Sequence, residues 1–132
     1  PRMKTIIDCA KYFQPDGLVF YHTDGRCDEV VDDLIEIGVD ILNPVQPECV
    51  DPAQYKNQYG DRISFWGPIG IQHTLPFGSV KDVRNEVKER IETVGKGGGL
   101  LIGPSHVIEP EVPWENVIAF VDAAKEFGSY QS

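Results

Sequence analysis

His22 and Asp24 stand two residues apart where an apolar run, Leu18-Val19-Phe20-Tyr21, gives way to Gly25. An imidazole beside a carboxylate can act as a general acid–base pair or as two ligands to a metal. The same arrangement returns near the other end of the chain, where Leu100-Leu101-Ile102 leads through Gly103, Pro104 and Ser105 into His106. In parallel α/β proteins the C-terminal ends of the strands face the ligand. Side chains alternate along a strand, so His22 and Asp24 fall on the side of Leu18 and Phe20, the side that would line a barrel. His22, Asp24 and His106 are therefore the candidate site.

Cys49, in Gln46-Pro47-Glu48-Cys49, is placed on the same face. With His22 and His106 it would complete a three-ligand zinc site of the catalytic kind, although no short-range ligand spacing marks one. His73 lies in a long loop and is read as solvent-exposed, while Cys9 and Cys27 are assigned to helices as packing or surface residues. Gly95-Lys96-Gly97-Gly98-Gly99 has the composition of a phosphate loop but follows a helix and precedes a strand. A phosphate cradle needs the opposite order, so this segment is read as a flexible connection. Trp66 and Trp114 are read as packing residues, and the acidic side chains of residues 79–94 as solvated.

Positioning these side chains takes an alternation of elements. Ile6, Ile7, Ala10 and Phe13 share one helical face over residues 3–13. A strand is predicted at 18–22, then a helix at 28–37 closed by Gly38, and a buried strand at 39–42. Asp51-Pro52 pairs an N-cap with proline at the first helical position and opens a helix to about Tyr59. A strand at 63–66, a long helix at 79–94, a strand at 100–102 and a helix at 114–127 complete the series. Repeated βα units with no hairpin signal imply right-handed crossovers and a parallel sheet. The expectation is a single α/β domain over residues 1–132, with four parallel strands each followed by a helix, as in half of a (β/α)8 barrel. Such a half leaves two sheet edges and an inner face uncovered. A partner is therefore expected, either a second copy in a homodimer or an N-terminal half.

The 132 residues are 41% hydrophobic and carry a formal charge of −9. That charge argues against nucleic acid and anionic membranes as partners, since both select basic surfaces. Three cysteines without a Cys-x-x-Cys spacing point to a reducing, cytoplasmic setting. No apolar run approaches the roughly 20 residues of a membrane span. The chain opens on Pro1 with Met3 as its one methionine, which reads as a fragment or a processed product.

Five segments together resemble the C-terminal half of the uroporphyrinogen decarboxylase superfamily. They are HTDG (22–25), LIEIGVDILNPVQ (34–46), YKNQYGDRISFWG (55–67), IQHTLPFGSVKDVRNEV (71–87) and GPSHVIEPEVPWENVIAFVDAA (103–124). The resemblance implies the second half of a (β/α)8 barrel. It also implies one of two activities: cofactor-free decarboxylation of the acetate side chains of uroporphyrinogen in porphyrin biosynthesis, a lyase reaction, or zinc-dependent methyl transfer with a corrinoid partner. By similarity Asp24 and His22 are catalytic, and His106, Ser105 and Gly25 contact substrate, Asp24-Gly25 matching the family's Asp-Gly after the fifth strand. His22 also matches the methyltransferases' first zinc ligand. Their His-x-Cys, however, reads His22-Thr23-Asp24 here, and their second cysteine falls around Ser105, so the thiolate set is absent. Gly70 stands where many relatives have an aspartate. The arginine-rich N-terminal segment and key aspartate of the decarboxylases are outside these residues. The resemblance thus predicts a decarboxylase-like domain holding part of a tetrapyrrole site, incomplete alone and needing no cofactor. The alternatives are a methyltransferase-type domain with metal at His22, Asp24, Cys49 or His106, and a non-catalytic, self-pairing half-barrel.

Overall fold

The computed structural model describes residues 2–129. Four short strands, β1 (Phe20–His22), β2 (Ile41–Asn43), β3 (Ser64–Trp66) and β4 (Leu100–Leu101), form one parallel sheet in the order β1-β2-β3-β4. Helix α1 (Arg2–Phe13) precedes the sheet. A 3-10 turn (Asp28–Val30) running into α2 (Val31–Glu36) links β1 to β2, and α3 (Pro52–Tyr59) links β2 to β3. Helices α4 (Thr74–Phe77) and α5 (Val80–Thr93) link β3 to β4, and α6 (Trp114–Phe127) follows β4. The sequence-predicted α/β architecture of four parallel strands is therefore present.

Local chemistry accounts for the boundaries. The Asp51 carboxylate accepts from the N–H groups of Ala53 and Gln54, capping α3 with Pro52 in its first turn. Ser79 and Asp82 exchange the two hydrogen bonds of a capping box at the start of α5. Gly38, at φ +98°, takes the left-handed turn that closes α2. The loop after β3 contains a single-turn helix, α4, where a long loop was predicted; Leu75 and Pro76 are buried there, and that packing favours the helical turn.

Alternation along the strands separates two faces. Tyr21, Leu42, Phe65 and Leu100 face the helices, where they join Val31, Leu34, Tyr55 and Tyr59 in one core. Leu42 and Phe65 are fully buried, each contributing about 1.5–3 kcal/mol of burial. A second core under α5 and α6 contains Ile69, Leu75, Val83, Val87, Ala119 and Ala123. The opposite face leaves Phe20, Trp66 and Leu101 exposed. Of the apolar face predicted for α1 only Ile7 is buried, and Ile6 and Phe13 stay exposed, because α1 lies beside an edge strand. Asp40 clamps that edge. Its Oδ2 accepts from Lys11 Nζ at 2.8 Å and from the Val19 N–H at 2.7 Å. Burial pushes this carboxyl up, but the two hydrogen bonds outweigh it and hold it below the usual carboxylate range. Among the described residues no helix is long and apolar enough to cross a membrane.

Candidate functional site

His22 ends β1, Asp24 follows in the next turn, and His106 lies just beyond β4. These strands are the two edges of the sheet. Three inter-strand spacings would separate them by about 14 Å in a flat sheet. Instead the ring centroids of His22 and His106 are 6.1 Å apart. The sheet therefore curls so that side chains at its C-terminal rim converge, as in an arc of a barrel. An isolated parallel bridge between Ile69 and Pro104 extends the pairing of β3 and β4 to the segment carrying His106.

The three side chains meet at one point. His22 Nε2 lies 3.4 Å from Asp24 Oδ1, and one donor atom from each of His22, Asp24 and His106 falls within 4.8 Å of the others. Two ligands about 2.0–2.1 Å from a zinc ion at the tetrahedral angle stand about 3.3 Å apart. The His22–Asp24 separation already meets this, and His106, within 4.8 Å of both, needs a shift of up to about 1.5 Å to join. Two imidazoles and a carboxylate are a donor set that catalytic zinc sites use, with the fourth position open. The residues present thus fit a zinc-class ion, with nitrogen and oxygen in place of thiolates. On its other side His22 Nδ1 is 2.6 Å from Asn43 Oδ1, and Asn43 Nδ2 donates to the Trp66 carbonyl at 3.1 Å.

Other residues expected at the site lie elsewhere. The zinc set drawn from His22, His106 and Cys49 is not assembled. The Cys49 and Val50 N–H groups both bond back to Gln46 O, so this turn folds towards α3. Exposed Cys49 borders a cavity of about 60 Å³ shared with Asp24, Gly25, Cys27 and Tyr55; Asp24 supplies the third donor in its place. Ser105 is 1% exposed, and its hydroxyl donates to the Ile69 carbonyl at 2.7 Å, which commits it to the scaffold. Gly25 is exposed, its N–H directed to Thr23 Oγ1. Cys27 precedes the 3-10 turn and is not helical; burial and the adjacent Asp28 push its thiol up. His73 is exposed, as expected. The glycine-rich segment joins α5 to β4 with Gly97, Gly98 and Gly99 all at positive φ. Lys56 Nζ is bound to the Gly98 carbonyl at 2.6 Å, so the connection is pinned at one point.

Neither tryptophan is a core residue. Trp114 is 70% exposed on the first turn of α6, and Trp66 lies on the inner face with its ring 4.9 Å from Phe20. An aromatic floor thus adjoins the two imidazoles. Glu86, on the supposedly solvated face of α5, is buried; its Oε1 accepts from the Gly70 N–H at 3.1 Å and faces Arg90 at 3.6 Å. The i,i+4 spacing of Glu86 and Arg90 was the available signal. For Asn43 it was a polar side chain closing an apolar strand.

The family model for uroporphyrinogen decarboxylase (URO-D) matches residues 1–127. The chain belongs to this family. Within the uroporphyrinogen decarboxylase family it is similar to members of two kinds. It is 30% identical over 112 residues to the methylcobamide:CoM methyltransferase MtaA of Methanosarcina barkeri, covering 85% of this chain and 32% of that protein. It is 25% identical over 126 residues to the uroporphyrinogen decarboxylase of Nostoc punctiforme, covering 96% of this chain and 34% of that protein. A solved methyltransferase from Methanosarcina mazei superposes with a TM-score of 0.70 at 27% identity, over 86% of this chain and 32% of that one. The chain thus spans about a third of the length of these relatives, and its fold is part of a (β/α)8 barrel.

Proposed function

We propose that the chain supplies four βα units and a metal-binding triad to a methyltransferase of the uroporphyrinogen decarboxylase family, one that moves a methyl group from a corrinoid to a small thiol. The observation that carries this reading is the convergence of His22, Asp24 and His106 within 4.8 Å, with the His22–Asp24 pair at 3.4 Å, the donor spacing of a zinc-class ion. A zinc-class ion held there would make a thiol at its open position a thiolate at neutral pH. His22 and His106 would hold the ion from the two edge strands of the arc, and Asp24 would contribute the negative charge. Phe20 and Trp66 offer an apolar wall that keeps water from the reacting sulfur. Further βα units, from the same polypeptide or a second copy, cover the exposed inner face and the edges of β1 and β4. The two methyltransferase likenesses support the choice of branch.

A second reading is decarboxylation of a tetrapyrrole. It is favoured by the His22–Asp24 pair, which is exposed and able to pass a proton to a carbanion as CO2 leaves, and by the decarboxylase likeness. The test is to incubate the zinc-loaded protein carrying this chain with methylcobalamin and a small thiol, following the methyl–cobalt absorbance. Turnover that falls at least tenfold in His106→Ala and Asp24→Asn is the expected result. Turnover of uroporphyrinogen without metal, and none of methylcobalamin, would replace this reading with the second.

A further inference from the structure

We propose that Asn43 is the positioning residue of the site: it fixes which nitrogen of His22 carries the proton and so aims a free lone pair at the point where His22, Asp24 and His106 converge. The inference deepens the metal reading above and rests on it for its functional meaning, but not for its geometry.

The logic follows from donor and acceptor types. The Trp66 carbonyl can only accept, so the atom of Asn43 that meets it at 3.1 Å is the amide nitrogen. The amide oxygen is then the atom 2.6 Å from His22 Nδ1. That oxygen also only accepts, so Nδ1 bears the hydrogen and donates it. A neutral imidazole has one N–H, which leaves Nε2 with its lone pair. Nε2 faces Asp24 Oδ1 at 3.4 Å. Two acceptors aimed at each other are matched by a cation or a donor hydrogen between them, and this is the place a ligand fills. Metal-binding histidines commonly have their second nitrogen held in this way, which sets both tautomer and ring orientation.

The sheet builds the relay strand by strand. His22 is the register partner of Asn43, and Asn43 is 7% exposed at the end of β2. Gly67, just after β3, sits at φ +78°, and a Cβ there would lie 2.9 Å from Asn43 Nδ2. The glycine therefore leaves room for the amide and takes a backbone conformation other residues resist. Three adjacent strands thus act through one amide on one imidazole. The same tautomer also separates the two functional readings, because a neutral His22 held this way presents an acceptor to the site.

Long-range 1H–15N correlation spectra of the metal-free protein test the proposal directly. They are recorded at about pH 8.5, two units above an ordinary imidazole pKa of about 6.5. His22 is expected to show a protonated Nδ1 and a bare Nε2. In Asn43→Leu the proton should redistribute towards Nε2, and zinc affinity should fall about 10- to 100-fold. Asn43→Asp, which keeps an acceptor opposite Nδ1, should retain the original tautomer. An Nε2–H tautomer in the unsubstituted protein overturns the proposal even if Asn43→Leu does not fold. An unchanged tautomer in a folded Asn43→Leu overturns it too. If the tautomer follows Asn43 while zinc does not bind, the positioning role stands and the metal reading alone is lost.

Discussion

Tyr55→Phe should loosen the turn that carries Asp24. Tyr55, on α3 and 7% exposed, donates its hydroxyl to Asp28 Oδ1 at 2.7 Å. Asp28 also accepts from Arg26 Nε at 3.0 Å, so one carboxylate ties the segment after β1 to α3. A hydrogen bond to a charged acceptor contributes about 1.5–3 kcal/mol. The Asp28 side chain is 35% exposed, so water recovers part of the loss, and about 1 kcal/mol is expected at pH 7. The pH dependence supplies the sign. The bonds from Tyr55 and Arg26 lower the Asp28 carboxyl below its ordinary value, so its contribution is full above the unfolded value of about 3.9 and fades as pH falls through the folded one. Burial, and then the bond to Asp28, push the Tyr55 hydroxyl up. That contribution is full below about pH 10 and is lost as pH rises beyond it. Urea denaturation of both proteins at pH 3 and pH 7, read by circular dichroism, checks the magnitude and the acid-side sign. Equal midpoints at pH 7, or a deficit as large at pH 3 as at pH 7, would refute the reasoning.

Two further substitutions probe the scaffold. Asn116, 3% exposed on α6, donates to the carbonyls of Leu75 and Gly78 at 2.9 and 2.8 Å. Asn116→Ala strands both and should cost about 2–4 kcal/mol in denaturant unfolding, with helix content retained. Glu86→Ala leaves the Gly70 N–H without its acceptor and takes one of two carboxylates from Arg90, which keeps Glu89 Oε1 at 2.9 Å and the Pro68 carbonyl at 3.2 Å. A loss of about 1–3 kcal/mol is expected, whereas Glu86→Gln, which keeps an acceptor for Gly70, should lose less. Equal losses in the two Glu86 variants would mean that the buried contacts are not the cause.

The fold was legible because its signals are local. Asp51-Pro52 and Gly38 mark helix ends through their own backbone chemistry, and the apolar runs at 18–21 and 100–102 mark strands that pair only in parallel. The three converging residues could be named for the same reason, since His22 and Asp24 close one such run and His106 follows the other. That they meet is a property of sheet curvature, which brings two edge strands together and leaves no trace in residue spacing. Cys49 was misplaced because its position depends on the turn at Gln46, set by two backbone hydrogen bonds. The inner-face role of Trp66 and the relay through Asn43 were likewise hidden, because each depends on a partner about 20–45 residues away. Ser105 was visible as a polar residue beside His106, yet its hydroxyl is spent on a carbonyl 36 positions away.

The most direct test of the central claim is a calorimetric zinc titration of the chain, beside the His106→Ala and Asp24→Asn variants. The account predicts one zinc per chain, with binding weakened at least tenfold by either substitution. Absence of stoichiometric binding, or binding that both variants retain in full, would contradict it.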